Sequence, residues 1–299
     1  MKLRNGWYII NYHNIDWVDN DFLSSFRLTT SPNMLEEHLK YFANFGTIVS
    51  FELGYKYFIN NSINFPMLSF SFDDGYHGVS DYAKEILNIY NAPGLVSVCE
   101  DFFTHNELFW RNKLSYIHLN EGSRFLRSRL KKYGYNLSND RLSKFTLNNF
   151  SLDIINEINC VWDKYKLDEK EIIKNLFLGS KELKILINNG WMIGNHSTNH
   201  YPISEDICID YFVDNLSDND IAIKKYLEYD SKFLVLPFDR ISKRSQKIDD
   251  LVRKNFKNKH IVYVGNKANT NNKHNKIYRF ACENESAKDL LLKMKNINK

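Results

Sequence analysis

Short apolar runs recur along this chain, separated by stretches with the length and periodicity of helices. In order they are WYIINYH (7–13), GTIVSF (46–51), MLSFSF (67–72), APGLVSVC (92–99), GWMIGN (190–195), KFLVLPF (232–238), HIVYVG (260–265) and IYRFAC (277–282). Each is too short for a buried helix and is rich in β-branched and aromatic residues, as a strand buried on both faces requires. Between them, SPNMLEEHLKYFANFG offers Ser31 as a cap, Pro32 for the first turn and one stripe of Leu35, Leu39 and Phe42 before Gly46. VSDYAKEILNIYNAPG likewise puts Tyr82, Ile86, Leu87 and Tyr90 on one face. Strands alternating with helices of this length imply an α/β fold. The rhythm changes over residues 104–176 to helical, polar stretches without a strand signal, which reads as a helical insertion: either a lid or substrate wall, or structural helices packed on the rest. No repeat and no linker marks a second domain, so residues 1–299 are expected to form one domain.

Composition narrows the function. A net charge of +4 is too small to argue for nucleic acid, and the basic cluster at 240–259 is interrupted by Asp249 and Asp250, as in a solvated helix face. No apolar run spans a bilayer and no signal core opens the chain, so a cytoplasmic protein is expected. The four cysteines lie singly, without Cys-x-x-Cys spacing, and read as buried thiols in a reducing compartment. The Asn- and Lys-rich stretch NKANTNNKHNK (266–276) reads as a mobile loop.

Two strand ends carry the chemistry. In SFSFDDG, Asp73 and Asp74 follow a buried strand and precede Gly75, which permits a sharp turn that brings both carboxylates to one pocket. Two crowded carboxylates repel, and a divalent cation on one leaves the other free as a base. Asp-Asp-Gly is also ordinary surface-turn chemistry. In GWMIGNHSTNH, His196 and His200 are four apart just after a strand. One helical turn would put both imidazoles on one side, and with a carboxylate they make a three-ligand site with a position open for water. Ser197 and Thr198 shape that turn rather than react.

SFDDG and HSTNH resemble the first two motifs of the polysaccharide deacetylase family (NodB-like, carbohydrate esterase family 4), and YHNI (12–15) resembles the Tyr-His opening of one branch. The resemblance implies a distorted (β/α) barrel of about seven strands and a hydrolase acting on acylated sugars. It assigns Asp74, His196 and His200 as metal ligands and Asp73 as general base. The implied metal is most simply Zn²⁺, with Co²⁺, Ni²⁺ or Fe²⁺ possible on the same ligands. The backbone N–H of Tyr76 follows as an oxyanion donor from its place after the motif. The family's third motif, Arg-x-Pro-[Tyr/Phe], survives as Pro237 and Phe238, but Val235 stands where the arginine belongs, which leaves the partner of Asp73 unidentified; Arg240 and Lys243 are near in sequence without being assignable. The C-terminal histidine of the family's fifth motif is missing, and His13 is the favoured substitute as general acid, with a structural histidine as the alternative. Phe109-Trp110-Arg111, opening the insertion, is the most suggestive group for substrate contact, Trp110 above all, with packing between insertion and barrel as the alternative.

The expected function is metal-dependent removal of N-acetyl groups from an amino sugar or glycan in surface-polysaccharide metabolism, with nucleotide- and lipid-linked sugars among the candidate substrates. The alternatives are a deformylase or other C–N amidohydrolase of the same superfamily, or a catalytically impaired glycan-binding protein.

Overall fold

The computed structural model describes residues 3–135, 142, 145, 150–202, 208–238, 246–272, 275–282 and 284–296, with side chains at 246–249 excepted. Among the described residues ten strands follow one another as β1 (Gly6–Tyr12), β2 (Asn14–Ile15), β3 (Thr29–Thr30), β4 (Thr47–Ile48), β5 (Pro66–Phe72), β6 (Leu95–Val98), β7 (Met192–Asn195), β8 (Phe233–Val235), β9 (His260–Val264) and β10 (Lys276–Ala281). Seven of them, β1, β5, β6, β7, β8, β9 and β10, pair in parallel in that order, and β1 pairs with both β5 and β10, which closes the sheet into a barrel. β4 pairs with the start of β5, on the edge whose end pairs with β6, and β2 with β3 form a separate two-stranded pair. The seven-stranded (β/α) barrel agrees with the expectation from sequence.

Parallel strands put all their C-terminal ends on one rim, where the site lies. Side chains alternate along each strand, and one phase faces inward. At the N-terminal end that phase is apolar: Trp7, Ile9, Met67, Leu95, Met192, Phe233, Val262 and Ile277 form one buried cluster, plugged by Phe51, Tyr55 and Phe58 of the helix Phe51–Ile59. Further along, the same phase becomes polar: Ser69, Asn11, Ser71, Ser97 and Arg279, all buried. The opposite phase, with Tyr8, Ile10, Leu68, Phe70, Val96 and Ile193, packs on the outer helices. Among these, Pro32–Phe42 starts as expected: Ser31 Oγ accepts from Met34 N at 3.2 Å, and Leu35, Leu39 and Phe42 are buried.

The described residues of 104–176 hold helices and connecting turns without a strand: Trp110–Leu130, interrupted at Gly122 (φ 79°), Leu152–Trp162 and Glu169–Leu176. Their apolar side chains share a second core with Tyr76, Cys99 and Phe102 from the barrel rim and with Leu23 and Phe26. The insertion is therefore joined to the site by packing.

Two expectations need correction. Cys99 and Cys282 are buried, but Cys160 and Cys208 are exposed; all four are free thiols. Cys160 sits on the outward side of the amphipathic helix Leu152–Trp162, a periodicity that single cysteines do not reveal. The stretch 266–276 is pinned at its centre: Asn269 is buried, exchanges backbone hydrogen bonds with Trp7 at 2.8 and 2.9 Å, and bonds Tyr278 through both ends of its amide. Residues 273 and 274 of that stretch, and Arg240 and Lys243, lie outside the described residues.

Candidate active site

Asp73 continues the inward phase of β5, and its N–H donates to the Tyr12 carbonyl at 3.0 Å, so the carboxylate sits over the polar layer of the barrel. The backbone then turns left-handed twice in succession, at Asp74 (φ 71°) and Gly75 (φ 74°). Asp tolerates that region better than most residues and Gly adopts it freely. The turn swings Asp74 away from its neighbour and toward β7.

His196 follows β7 and is held at both ends: its N–H donates to the Val98 carbonyl at 3.0 Å, and Nδ1 lies 2.5 Å from the Val235 carbonyl. A carbonyl only accepts, so Nδ1 carries the proton and Nε2 presents a lone pair. His200 is reached through a bend rather than the helical turn expected from spacing. Ser197 (φ 67°) and His200 (φ 57°) are left-handed, Ser197 N donates to Asn195 Oδ1 at 2.9 Å, and His200 N donates to Ser197 Oγ at 3.1 Å. Side-chain acceptors here replace the backbone ladder of a helix. Asn195 is itself fixed by donating to Asp220 Oδ1 at 2.8 Å and to the Leu216 carbonyl at 2.7 Å. Backbone strain of this kind concentrates at functional sites.

The result is a convergence of three ligand atoms. Asp74 Oδ1 lies 3.2 Å from His200 Nε2 and 3.5 Å from His196 Nε2, and the two Nε2 atoms are 3.0 Å apart. All three residues are buried. Asp74 Oδ1 and His200 Nδ1 are buried without a hydrogen-bond partner among the described residues. Burial would raise the pKa of Asp74, but His200 and His196 hold it well below the usual carboxylate range. Burial pushes His200 down to about 4, so it is neutral at ordinary pH. Burial would lower the pKa of His196, but Asp73 and Asp74 raise it above its ordinary value. A divalent cation fits an ionised carboxylate and two converging imidazole Nε2 atoms, and its charge would take the place of any proton on His196.

Asp73 has the opposite surroundings. Arg279, from the inward phase of β10, grips it with both terminal nitrogens, Nη1 to Oδ1 at 2.7 Å and Nη2 to Oδ2 at 3.0 Å. Asn11 Nδ2 donates to Oδ2 at 2.9 Å, and Ser97 Oγ donates to Oδ1. Ser71 Oγ and Arg279 Nη1 both donate to Asn11 Oδ1, at 2.8 and 2.6 Å, which orients the amide. Burial raises the pKa of Asp73, yet the Arg279 and His196 charges and the Arg279 hydrogen bonds together outweigh it and hold the carboxylate far below its ordinary value. Arg279, Asn11, Ser71 and Ser97 were not found from sequence. Arg279 occupies the electrostatic place of the arginine missing at Val235, supplied by a different strand. Its one sequence signal is phase: a charged residue two places after the inward-facing Ile277.

The remaining expected residues surround this centre. His13, just past β1, is partly exposed and makes no hydrogen bond among the described residues; burial of its ring lowers its pKa although Asp74 and Asp73 oppose the shift. Tyr76 is buried, stacked on Phe177 at 4.8 Å, and its hydroxyl accepts from Asn112 Nδ2 at 3.3 Å. The bridge joining Tyr76 to Phe177 runs through His77 N to Leu176 O and Leu178 N to Gly75 O, and leaves the Tyr76 N–H without an acceptor among the described residues. Pro237 is buried, and Phe238, partly exposed with φ 50°, lies edge-on to His200 at 4.8 Å between ring centroids. Trp110 is 3% exposed and packs on Phe238 at 6.0 Å and Phe150 at 5.7 Å, so its ring contacts insertion and barrel at once. Phe109 covers His200 at 4.7 Å.

No known family model and no curated protein matches the chain. Solved structures do. IcaB from Ammonifex degensii is similar over 98% of this chain and 100% of its own, with a TM-score of 0.61 and 12% identity. The deacetylase PplD of Streptococcus pyogenes, solved with acetate, is similar over 97% and 98%, with a TM-score of 0.60 and 16% identity. A de-N-acetylase from Aggregatibacter actinomycetemcomitans gives 95%, 99%, 0.60 and 15%. At these identities the likeness establishes a shared fold, the NodB-like deformed barrel.

Proposed function

We propose that this chain is a metal-dependent hydrolase that removes N-acetyl groups from an amino sugar or glycan. The observation that carries the reading is the division between two adjacent carboxylates: Asp74 converges with His196 and His200, while Asp73 is held ionised by Arg279. Solved deacetylases with the same fold support it.

Asp74, His196 and His200 would hold the cation, which would supply polarisation of an acyl carbonyl and a water pKa lowered toward about 7. Asp73 takes the proton of the attacking water. A carboxylate offers about four acceptor positions, and four donors fill them in Asp73. Ser97 can release one, because its hydroxyl has the Phe72 carbonyl as a second acceptor at 3.5 Å. The Tyr76 N–H stabilises the developing oxyanion. His13 is neutral near pH 7 because its pKa is lowered, so it donates to the departing amine only a proton that it has first received. Pro237, Phe238 and Trp110 form the apolar wall for the acyl group and sugar. Surface-polysaccharide metabolism is the setting in which such a substrate arises.

The test is carboxylate release by zinc-loaded protein from N-acetylated and N-formylated sugars, free and nucleotide-linked, with Asp73→Asn as control. Acetate release that collapses in the variant supports the reading, and formate alone would make the chain a deformylase. The four-donor saturation of Asp73 favours, as a second reading, a glycan-binding protein; sugar binding that survives metal removal, with no turnover in the loaded protein, would establish that instead.

A further inference from the structure

Arg111 is the second residue of the helix Trp110–Leu130, whose first turns are fastened down. Asn112 Nδ2 donates to the Phe22 carbonyl at 2.9 Å, Ser115 Oγ donates to the Asp21 carbonyl at 2.7 Å, and Lys113 Nζ lies 3.3 Å from a Glu169 carboxylate oxygen. Arg111 is thus carried on a rigid base. Its guanidinium is clamped between aromatic rings, 4.1 Å from the centroid of Phe26 and 5.3 Å from that of Phe238. Phe238 in turn lies against His200, so a single ring separates Arg111 from the ligand cluster.

Aromatic faces attract a cation but accept none of its directed hydrogen bonds. Arg111 Nε is buried without an acceptor, and no carboxylate pairs with the guanidinium among the described residues. The neighbours repeat the pattern: Trp110 Nε1 and Asn112 Oδ1 are also buried and unpartnered, so three consecutive residues leave polar atoms unmet beside the ligand cluster. Arg279, whose Nε is likewise buried without an acceptor, and Lys113 are each set against a carboxylate, which Arg111 among the described residues is not. Burial disfavours the Arg111 charge, and the ionised group that most opposes this is Asp74. Once Asp74 serves a cation, its charge is shared with that cation and the Arg111 side of the site is left positive.

We propose that Arg111 is a specificity-determining residue that binds an anionic group, a carboxylate or a phosphate, on the sugar whose N-acyl group faces Asp74, His196 and His200. The planar guanidinium fork suits two parallel hydrogen bonds to either oxyanion, and the aromatic clamp fixes its plane beforehand. The inference rests on the hydrolase reading for where the sugar sits, but its test does not require turnover.

Calorimetric titration of the zinc-loaded protein with N-acetylglucosamine, N-acetylmuramic acid and N-acetylglucosamine 1-phosphate compares neutral, carboxylate-bearing and phosphate-bearing sugars. The wild type is expected to bind one of the anionic sugars at least tenfold more tightly than the neutral one, and the preferred anion names the source of the charge. Arg111→Gln removes that preference, and Arg111→Lys, which keeps the charge but not the fork, retains part of it. Equal affinities in the wild type, or an Arg111→Gln variant that weakens all three sugars alike, would overturn the proposal and leave Arg111 as an aromatic staple. A retained preference with no carboxylate release would sink the hydrolase reading alone.

Discussion

The barrel side and the insertion side of the site differ in how their polar groups are satisfied. On the barrel side, Asp73 receives four hydrogen bonds from Arg279, Asn11 and Ser97, residues of three strands in fixed register. On the insertion side, Trp110, Arg111 and Asn112 each keep a buried polar atom unmet. The ligand cluster lies between them. Strands locked by parallel pairing set a carboxylate against their buried cation, although Arg279 Nε stays unmet, whereas the helix over the rim brings in a cation that no carboxylate meets among the described residues.

The largest effect is expected from cutting the barrel network. Arg279→Met leaves a buried, unpaired carboxylate and should cost about 3–5 kcal/mol in urea unfolding, with Arg279→Lys intermediate. An Arg279→Met variant as stable as the wild type would erase the contrast between the two sides. Next, Asp73→Asn should lower carboxylate release by about 10²–10⁴-fold, since it removes the proton acceptor while keeping the shape. Smaller is a pH effect. The Asp73 pKa lies below the ordinary 3.8, so its ionised form contributes stability fully above that value and loses it as pH falls toward the folded value. The stability gap between wild type and Asp73→Asn should therefore stay constant from neutral pH to about 4 and close below it; closure between pH 7 and 5 would mean that burial, not Arg279, sets this group. Smallest, Asn195→Ala frees the bend that carries His200 and should weaken zinc binding about tenfold with little change in fold, as outer-shell partners do.

Much of this was legible in the sequence. The apolar runs marked the strands, and the placing of Asp73, Asp74, His196 and His200 at strand ends foretold the cluster, because parallel strands bring their ends to one rim. Arg279 was not legible, because its role depends on the register that sets it over Asn11, Ser71 and Ser97, and register is a property of strand pairs. The bend at Ser197 escaped for a related reason: i, i+4 spacing suggests a helical turn, and only the acceptors Asn195 and Ser197 show how the chain reaches the same end without one. Asn269 looked like part of a polar loop because its composition says nothing of the Trp7 and Tyr278 groups that hold it.

The division of labour between the adjacent carboxylates is tested most directly by titrating zinc into metal-free protein, with Asp74→Ala and Asp73→Asn alongside. The expected result is one equivalent bound by the wild type and by Asp73→Asn, and binding lost in Asp74→Ala. Loss of zinc in Asp73→Asn to the same degree, in a variant that still folds, would contradict it.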